Sequence, residues 1–232
     1  MEAFLEKTAG YLMEKYKDSI GDLCVVLPNR RAGLFLRKHL SKKISGPTWS
    51  PQIFSIEDFV KELSGYQLLD SVDLLFEFYQ VYLEHTKMEV QSFEEFTNWA
   101  PTLLNDFNEV DSYLVEGKSL FTNLSNIKSI ENWSLASPEL TDFQKQYLQW
   151  WDKLGVYYHA FYQRLQSKNM AYQGMAYRSV ASTIHEKEFA EWNKILMILF
   201  IIFFRQLQIK KYIGQNRSGQ RRFKDINIIL LR

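Results

Sequence analysis

Leu23-Cys24-Val25-Val26-Leu27-Pro28-Asn29-Arg30-Arg31 is a run of five apolar residues that stops abruptly at a proline, an amide and two arginines. The run does not alternate between apolar and polar residues. That is the pattern of a parallel strand covered on both faces, not of a half-solvated one. Behind it, Phe4, Leu5, Ala9, Leu12 and Met13 recur at helical spacing until Ser19-Ile20-Gly21-Asp22 interrupts them. Ahead of it, Ala32 to Lys43 resumes a helical period, with Leu34, Phe35, Lys38 and His39 on adjoining turns. A helix, an inner strand, a polar loop and a second helix are the opening of an α/β layer domain.

The next elements extend this reading. Ser45-Gly46-Pro47 marks a turn, and Pro51-Gln52-Ile53-Phe54 is short enough to be another inner strand. Ser55 is placed to cap the following helix, with Asp58 at the third helical position and Phe59, Val60 and Leu63 on the buried side. From Asp70 onward long helices dominate. Leu74, Leu75, Phe78, Val81 and Tyr82 form one apolar stripe, and Ser92-Phe93-Glu94-Glu95 is a capping box. Pro101 kinks or restarts the helix there, after which Leu103, Leu104, Phe107, Val110 and Leu114 continue the stripe. A further helix runs from Thr141 to about Ser167, with Phe143, Tyr147, Trp150, Trp151, Leu154 and Tyr158 inward.

Met170 to Glu188 reads as helix, with Tyr172, Met175, Ala176, Val180 and Ile184 as its core side. Ile195 to Phe204 reads as a buried strand that returns the chain to the sheet. The expected organisation is an α/β domain over 1–65 and 168–204, interrupted by an all-α insertion over 66–167. A basic tail follows over 205–232.

Composition narrows the function classes. Of 232 residues, 46% are hydrophobic, with 17 Phe, 13 Tyr and 6 Trp, so a sizeable core is available. Only 5 prolines and 10 glycines favour long helices over a turn-rich β architecture. Cys24 is the single cysteine, which excludes an internal disulfide, a Cys-rich zinc site and a self-contained iron–sulfur cluster. Its apolar setting suits a buried small hydrophobe. His39, His85, His159 and His185 are scattered without ligand-like spacing, so no metal or other cofactor is expected. The first residues lack a signal-peptide pattern, and the longest apolar run, Ile195 to Phe204, is half of the roughly 20 residues a spanning helix needs. A cytoplasmic chain without a membrane partner is the expectation. The formal net charge of +1 hides an asymmetry, because residues 205–232 carry eight Lys/Arg and one acid. That leaves 20 basic against 26 acidic residues before it, and the body of the chain is mildly acidic.

No phosphate loop of the form G-x-x-x-x-G-K-[ST] is present, nor G-x-S-x-G, nor H-E-x-x-H, so no catalytic residues are expected. The acids of Asp106-Phe107-Asn108-Glu109-Val110-Asp111 do not share one helical face and read as a solvated surface. Trp150-Trp151 offers a stacking platform for bases, but within a helical stripe it reads as core. Pro28-Asn29-Arg30-Arg31 is the most informative loop. It lies where a parallel strand ends, the edge at which open α/β sheets bind ligands. Two readings stand from spacing alone: phosphate contacts by the arginines and the amide, or a solvated strand–helix connection.

The stretches Leu23 to Leu36, Pro51 to Phe59 and Leu103 to Asp111 resemble the amino-terminal region of AddB-type helicase–exonuclease subunits, as do Leu120 to Leu124 and Met170 to Tyr177. These stretches fall in order across residues 20–190. The resemblance implies a superfamily 1 helicase-like fold: an incomplete RecA-like (P-loop-NTPase-like) parallel sheet with a large helical insertion. It also implies DNA contacts by Asn29, Arg30, Arg31 and Ser55. The partners implied are single-stranded or unwinding duplex DNA and an AddA-type motor subunit. Relatives of this kind end in a PD-(D/E)XK nuclease domain, so this chain is expected to be a truncated, non-catalytic fragment in double-strand-break repair. Ile195 to Phe204, where active helicases carry Walker B acids, contains neither Asp nor Glu. The tail from about residue 190 changes composition and is either an out-of-frame extension or a basic DNA-binding arm. The rival expectation is a helical adaptor that binds only protein. A fragment with no activity of its own, its sheet edges left open, is the third.

Overall fold

The computed structural model describes residues 4–86, 90–131, 142–184, 194–198 and 226–229, a few of them by backbone alone. In chain order the elements are α1 (Phe4–Tyr16), a 3-10 segment (Lys17–Asp22), β1 (Leu23–Leu27), α2 (Arg30–Lys43), β2 (Gln52–Ser55) and α3 (Ile56–Ser64). Then come β3 (Gln67–Leu68), α4 (Ser71–His85), α5 (Phe93–Thr97), α6 (Ala100–Ser112), α7 (Gly117–Glu131) and α8 (Asp142–Ser167). Last are β4 (Met170–Ala171), α9 (Gln173–Thr183), β5 (Lys194–Ile198) and β6 (Ile226–Ile229). The protein is α/β with a helical majority. It divides into two compact units, Met1–Ser64 with Val180–Arg232, and Gly65–Ser179.

In the first unit four strands pair in the order β2-β1-β5-β6, and every neighbouring pair is parallel. β1 lies inside, flanked on both edges, and all five of its residues are buried. Leu23, Val25 and Leu27 on one face pack with Ala9, Leu12 and Tyr16 of α1 and with Leu36 and Leu40 of α2. Cys24 and Val26 on the other face are also fully buried. Burial pushes the Cys24 thiol up to about 12, so it stays protonated and inert. The parallel inner strand expected from the unbroken apolar run is therefore present.

Two expectations need correction here, those for β2 and for Met170–Ala171. β2 is an edge strand among the described residues, not an inner one, and its pattern is correspondingly mixed, with Gln52 exposed and Ser55 buried. α2 buries Gly33, Leu36 and Leu40, whereas Leu34 and Phe35 are 64% and 47% exposed. Gly33 sits on the packed face because a Cβ there would lie 3.2 Å from Ile53. Met170–Ala171 is strand, not the start of a helix. Residues 226–229 of the expected basic tail form β6 beside β5. Residues 199–204, the rest of that tail and 185–188 of the expected last helix lie outside the described residues.

The second unit is helical apart from β3 and β4, which pair in parallel with Gln67 opposite Met170 and Leu68 opposite Ala171. It therefore extends past the expected end at 167, since β4 is needed to complete the pair. Phe78 of α4 is its hub, fully buried, with ring centroids of Phe96, Trp99, Phe107, Tyr157 and Phe161 within 5.2–6.1 Å. Edge-to-face and tilted contacts of this kind add to the burial of the rings. The Ser92–Glu95 capping box is formed, and Pro101 restarts the chain as α6. In α8 the buried stripe is Leu154, Tyr157, Tyr158, Phe161 and Leu165, while Trp150 is 40% exposed.

Candidate nucleic-acid interface

Register explains how residues far apart in sequence meet. Leu27 at the end of β1 pairs with Ser55 at the end of β2, so the loop entering α2 and the first turn of α3 leave the sheet side by side. The chain moves from β1 to β2 on one side and later places β5 on the other, so the strand order reverses at β1. In open α/β sheets the carboxyl edge at such a reversal is where ligands bind. Asn29, Arg30 and Arg31 stand on that edge.

Each of the four expected residues has a distinct environment. Asn29 is extended (φ −153°, ψ 163°) and caps α2, its Oδ1 accepting from the Ala32 amide at 2.9 Å. Arg30 donates through Nε to Asp58 Oδ2 at 2.9 Å and through Nη2 to Oδ1 at 2.5 Å, a bidentate fork on an exposed surface. Ser55 is 4% exposed, and its hydroxyl donates to Asp58 Oδ2 at 2.6 Å and accepts from the Asp58 amide at 3.1 Å. Arg31 is exposed and makes no ion pair or side-chain hydrogen bond among the described residues. Sequence reading put Ser55 and Asp58 together as a cap. It missed that Asp58 also holds Arg30, because the β1–β2 register that joins them is not written in either segment.

Asp58 is the electrostatic centre of this group. Hydrogen bonds from Arg30 and then from Ser55 hold its carboxyl below the usual carboxylate value. α2 has no acid in its first turn and begins with two arginines. Cations at the positive end of a helix dipole are unfavourable, so Arg31 and the free backbone amides there form a locally positive site complementary to an oxyanion.

The acidic string 106–111 is not wholly a solvated surface, which corrects the expectation for Asp111. That carboxylate is fully buried in the second unit. It accepts from Tyr158 Oη at 2.5 Å, from Arg178 Nε at 2.5 Å and from the Tyr172 hydroxyl. Arg178 also donates to the Val110 and Val115 carbonyls. Burial, with the neighbouring Asp111 charge and hydrogen bond, raises both phenols above their ordinary value. Next to it the Gly174 amide donates to Asn108 Oδ1 at 2.7 Å. This is a fully engaged structural node tying α6, α8 and α9, with no group left to act on a ligand.

An open groove of about 1140 Å³ runs along α7 and α8. Among the groups lining it, Arg164 pairs with Glu84 and the Ser125 hydroxyl donates to Asp152. Trp150 and Trp151 meet edge to face at 5.2 Å, with Lys128 5.4 Å from the Trp151 ring, so only Trp150 offers an open surface. No group of three or more His, Cys, Asp or Glu suited to a metal occurs among the described residues. No described helix is long and apolar enough to cross a membrane. No protein-family model matches the chain, and no curated protein matches it either.

Proposed function

We propose that this chain is a non-catalytic DNA-handling module of the AddB type, in which the carboxyl edge of a RecA-like sheet contacts the phosphates of single-stranded DNA. One observation carries the reading: Arg31, exposed and without a side-chain partner among the described residues, stands beside the amides that open α2 at the reversal point of a parallel sheet. Arg31 is the primary phosphate contact, and Arg30, forked onto Asp58, becomes a second one only when it leaves that carboxylate. Asn29 orients the loop by capping α2. Ser55 acts indirectly, through Asp58. An inner parallel sheet interrupted by a mainly helical unit supports the RecA-like assignment, and a cytoplasmic repair complex with an AddA-type motor is the setting this reading implies.

The exposure of Leu34 and Phe35 favours a second reading, a protein-binding adaptor. Fluorescence anisotropy of labelled single-stranded DNA at low and moderate salt separates the two. DNA binding that weakens steeply with salt supports the first, and no binding, or binding indifferent to salt, supports the second.

A further inference from the structure

The outer face of α2 is unusual in both charge and polarity. Arg31, Leu34, Phe35, Lys38 and Lys42 are all exposed and fall on adjoining helical turns, at i, i+3, i+4, i+7 and i+11. They cover about 16 Å of helix at 1.5 Å per residue. Two large apolar side chains thus stand among three cations with no acid on the helix. A DNA strand would use the cations but leave Leu34, 64% exposed, without a partner.

A complementary face exists in the other unit. Along α4, Val72 and Phe76 are 57% and 53% exposed at i and i+4, and Phe76 stacks on Phe93 of α5 at 5.0 Å. The exposed acids Asp73 and Glu94 lie next to them in sequence. This is an apolar strip with acids at its border, the reverse of α2 in sign.

We propose that the basic–apolar face of α2 docks on the acidic–apolar face of α4–α5 in a second copy of this chain. Apolar pairs fill the centre of the contact, Leu34 and Phe35 against Val72 and Phe76, while Lys38 and Lys42 face Asp73 and Glu94. Two single helix faces bury less than a standard stable interface, so the association is weak, concentration-dependent and sensitive to salt. The inference is independent of DNA binding.

Sedimentation velocity on the full chain tests it, over roughly a hundredfold range of concentration. The average mass of the wild-type chain should rise with concentration and fall back in high salt. Phe35→Glu and Phe76→Lys should each abolish the rise. An equal mixture of the two should recover association limited to two chains, since each variant keeps one intact face. Phe76 also stacks on Phe93, so Lys38→Glu and Val72→Lys, which leave that stack in place, form a second pair with the same expected behaviour. Monomer at every concentration, association that survives these substitutions, or failure of the mixtures to recover would each overturn the proposal. So would a monomeric wild-type chain whose binding to labelled single-stranded DNA is lost in Phe35→Glu, an outcome that assigns the face to nucleic acid.

Discussion

Arg30 and Arg31 are neighbours in sequence but not in circumstance. One is forked onto Asp58 and the other is unpaired among the described residues, so the two should respond differently to substitution. Arg30→Ala should change the salt dependence of single-stranded DNA binding little, because the side chain must leave Asp58 before it can neutralise a phosphate. Asp58→Asn should free it, tightening binding and steepening the slope of log K against log salt by up to about 0.7, the value of one phosphate contact on a single strand. An unaltered slope in Asp58→Asn would mean that Arg30 does not face the DNA. The carboxyl of Asp58 is held below its usual value, so its contribution to stability is complete above the unfolded-state value near about 4. That contribution drains away as pH falls through the lower folded value. Urea unfolding of the wild-type chain and Asp58→Asn should therefore show a small gap at neutral pH that closes in acid. A gap that widens in acid would contradict the assignment. The cap that Asn29 places on α2 is a local feature, but the sequence reading assigned Asn29 only a DNA contact. The pairing of Arg30 with Asp58 is legible in neither segment, since it depends on the register of Leu27 with Ser55.

At the scale of elements, the strongest sequence signals were those in which one physical cause acts alone. An unbroken apolar run can only be covered on both sides, and Leu23–Leu27 is. A capping box satisfies its own amides locally, and Ser92–Glu95 does. The weaker signals were choices between helix faces. In α2 the small residue Gly33 faces the sheet, where Ile53 approaches so closely that a Cβ would be tight at 3.2 Å, and the larger Leu34 and Phe35 face out. Hydrophobic periodicity could not see that neighbour. Asp111 was hidden for a similar reason: its donors Tyr158, Tyr172 and Arg178 come from segments 47 to 67 residues away. Removing that carboxylate in Asp111→Ala should cost about 3 kcal/mol in urea unfolding, since it strands Arg178 and two buried phenols. Gly174→Ala should cost about 1–3 kcal/mol, because its Cβ would lie 2.2 Å from the Asn108 carbonyl oxygen. Wild-type stability in either variant would show that this node is not the support described.

At the scale of the molecule, β3 and β4 bring the two ends of the helical unit together, with Gln67 opposite Met170. A segment whose ends are adjacent and whose core is its own has what independent folding requires. Residues 65–179 expressed alone should give a helical circular dichroism spectrum and a cooperative thermal transition. A spectrum without cooperative melting would show that the unit depends on the rest of the chain. The sheet-bearing unit carries the proposed phosphate edge, and Arg31 is the side chain on which that proposed contact depends. The decisive measurement is the salt dependence of single-stranded DNA binding by the full chain and by Arg31→Ala, read by anisotropy. Loss of affinity with a slope flatter by about 0.7 is the predicted result. Unchanged affinity and an unchanged slope would contradict a nucleic-acid role for this edge.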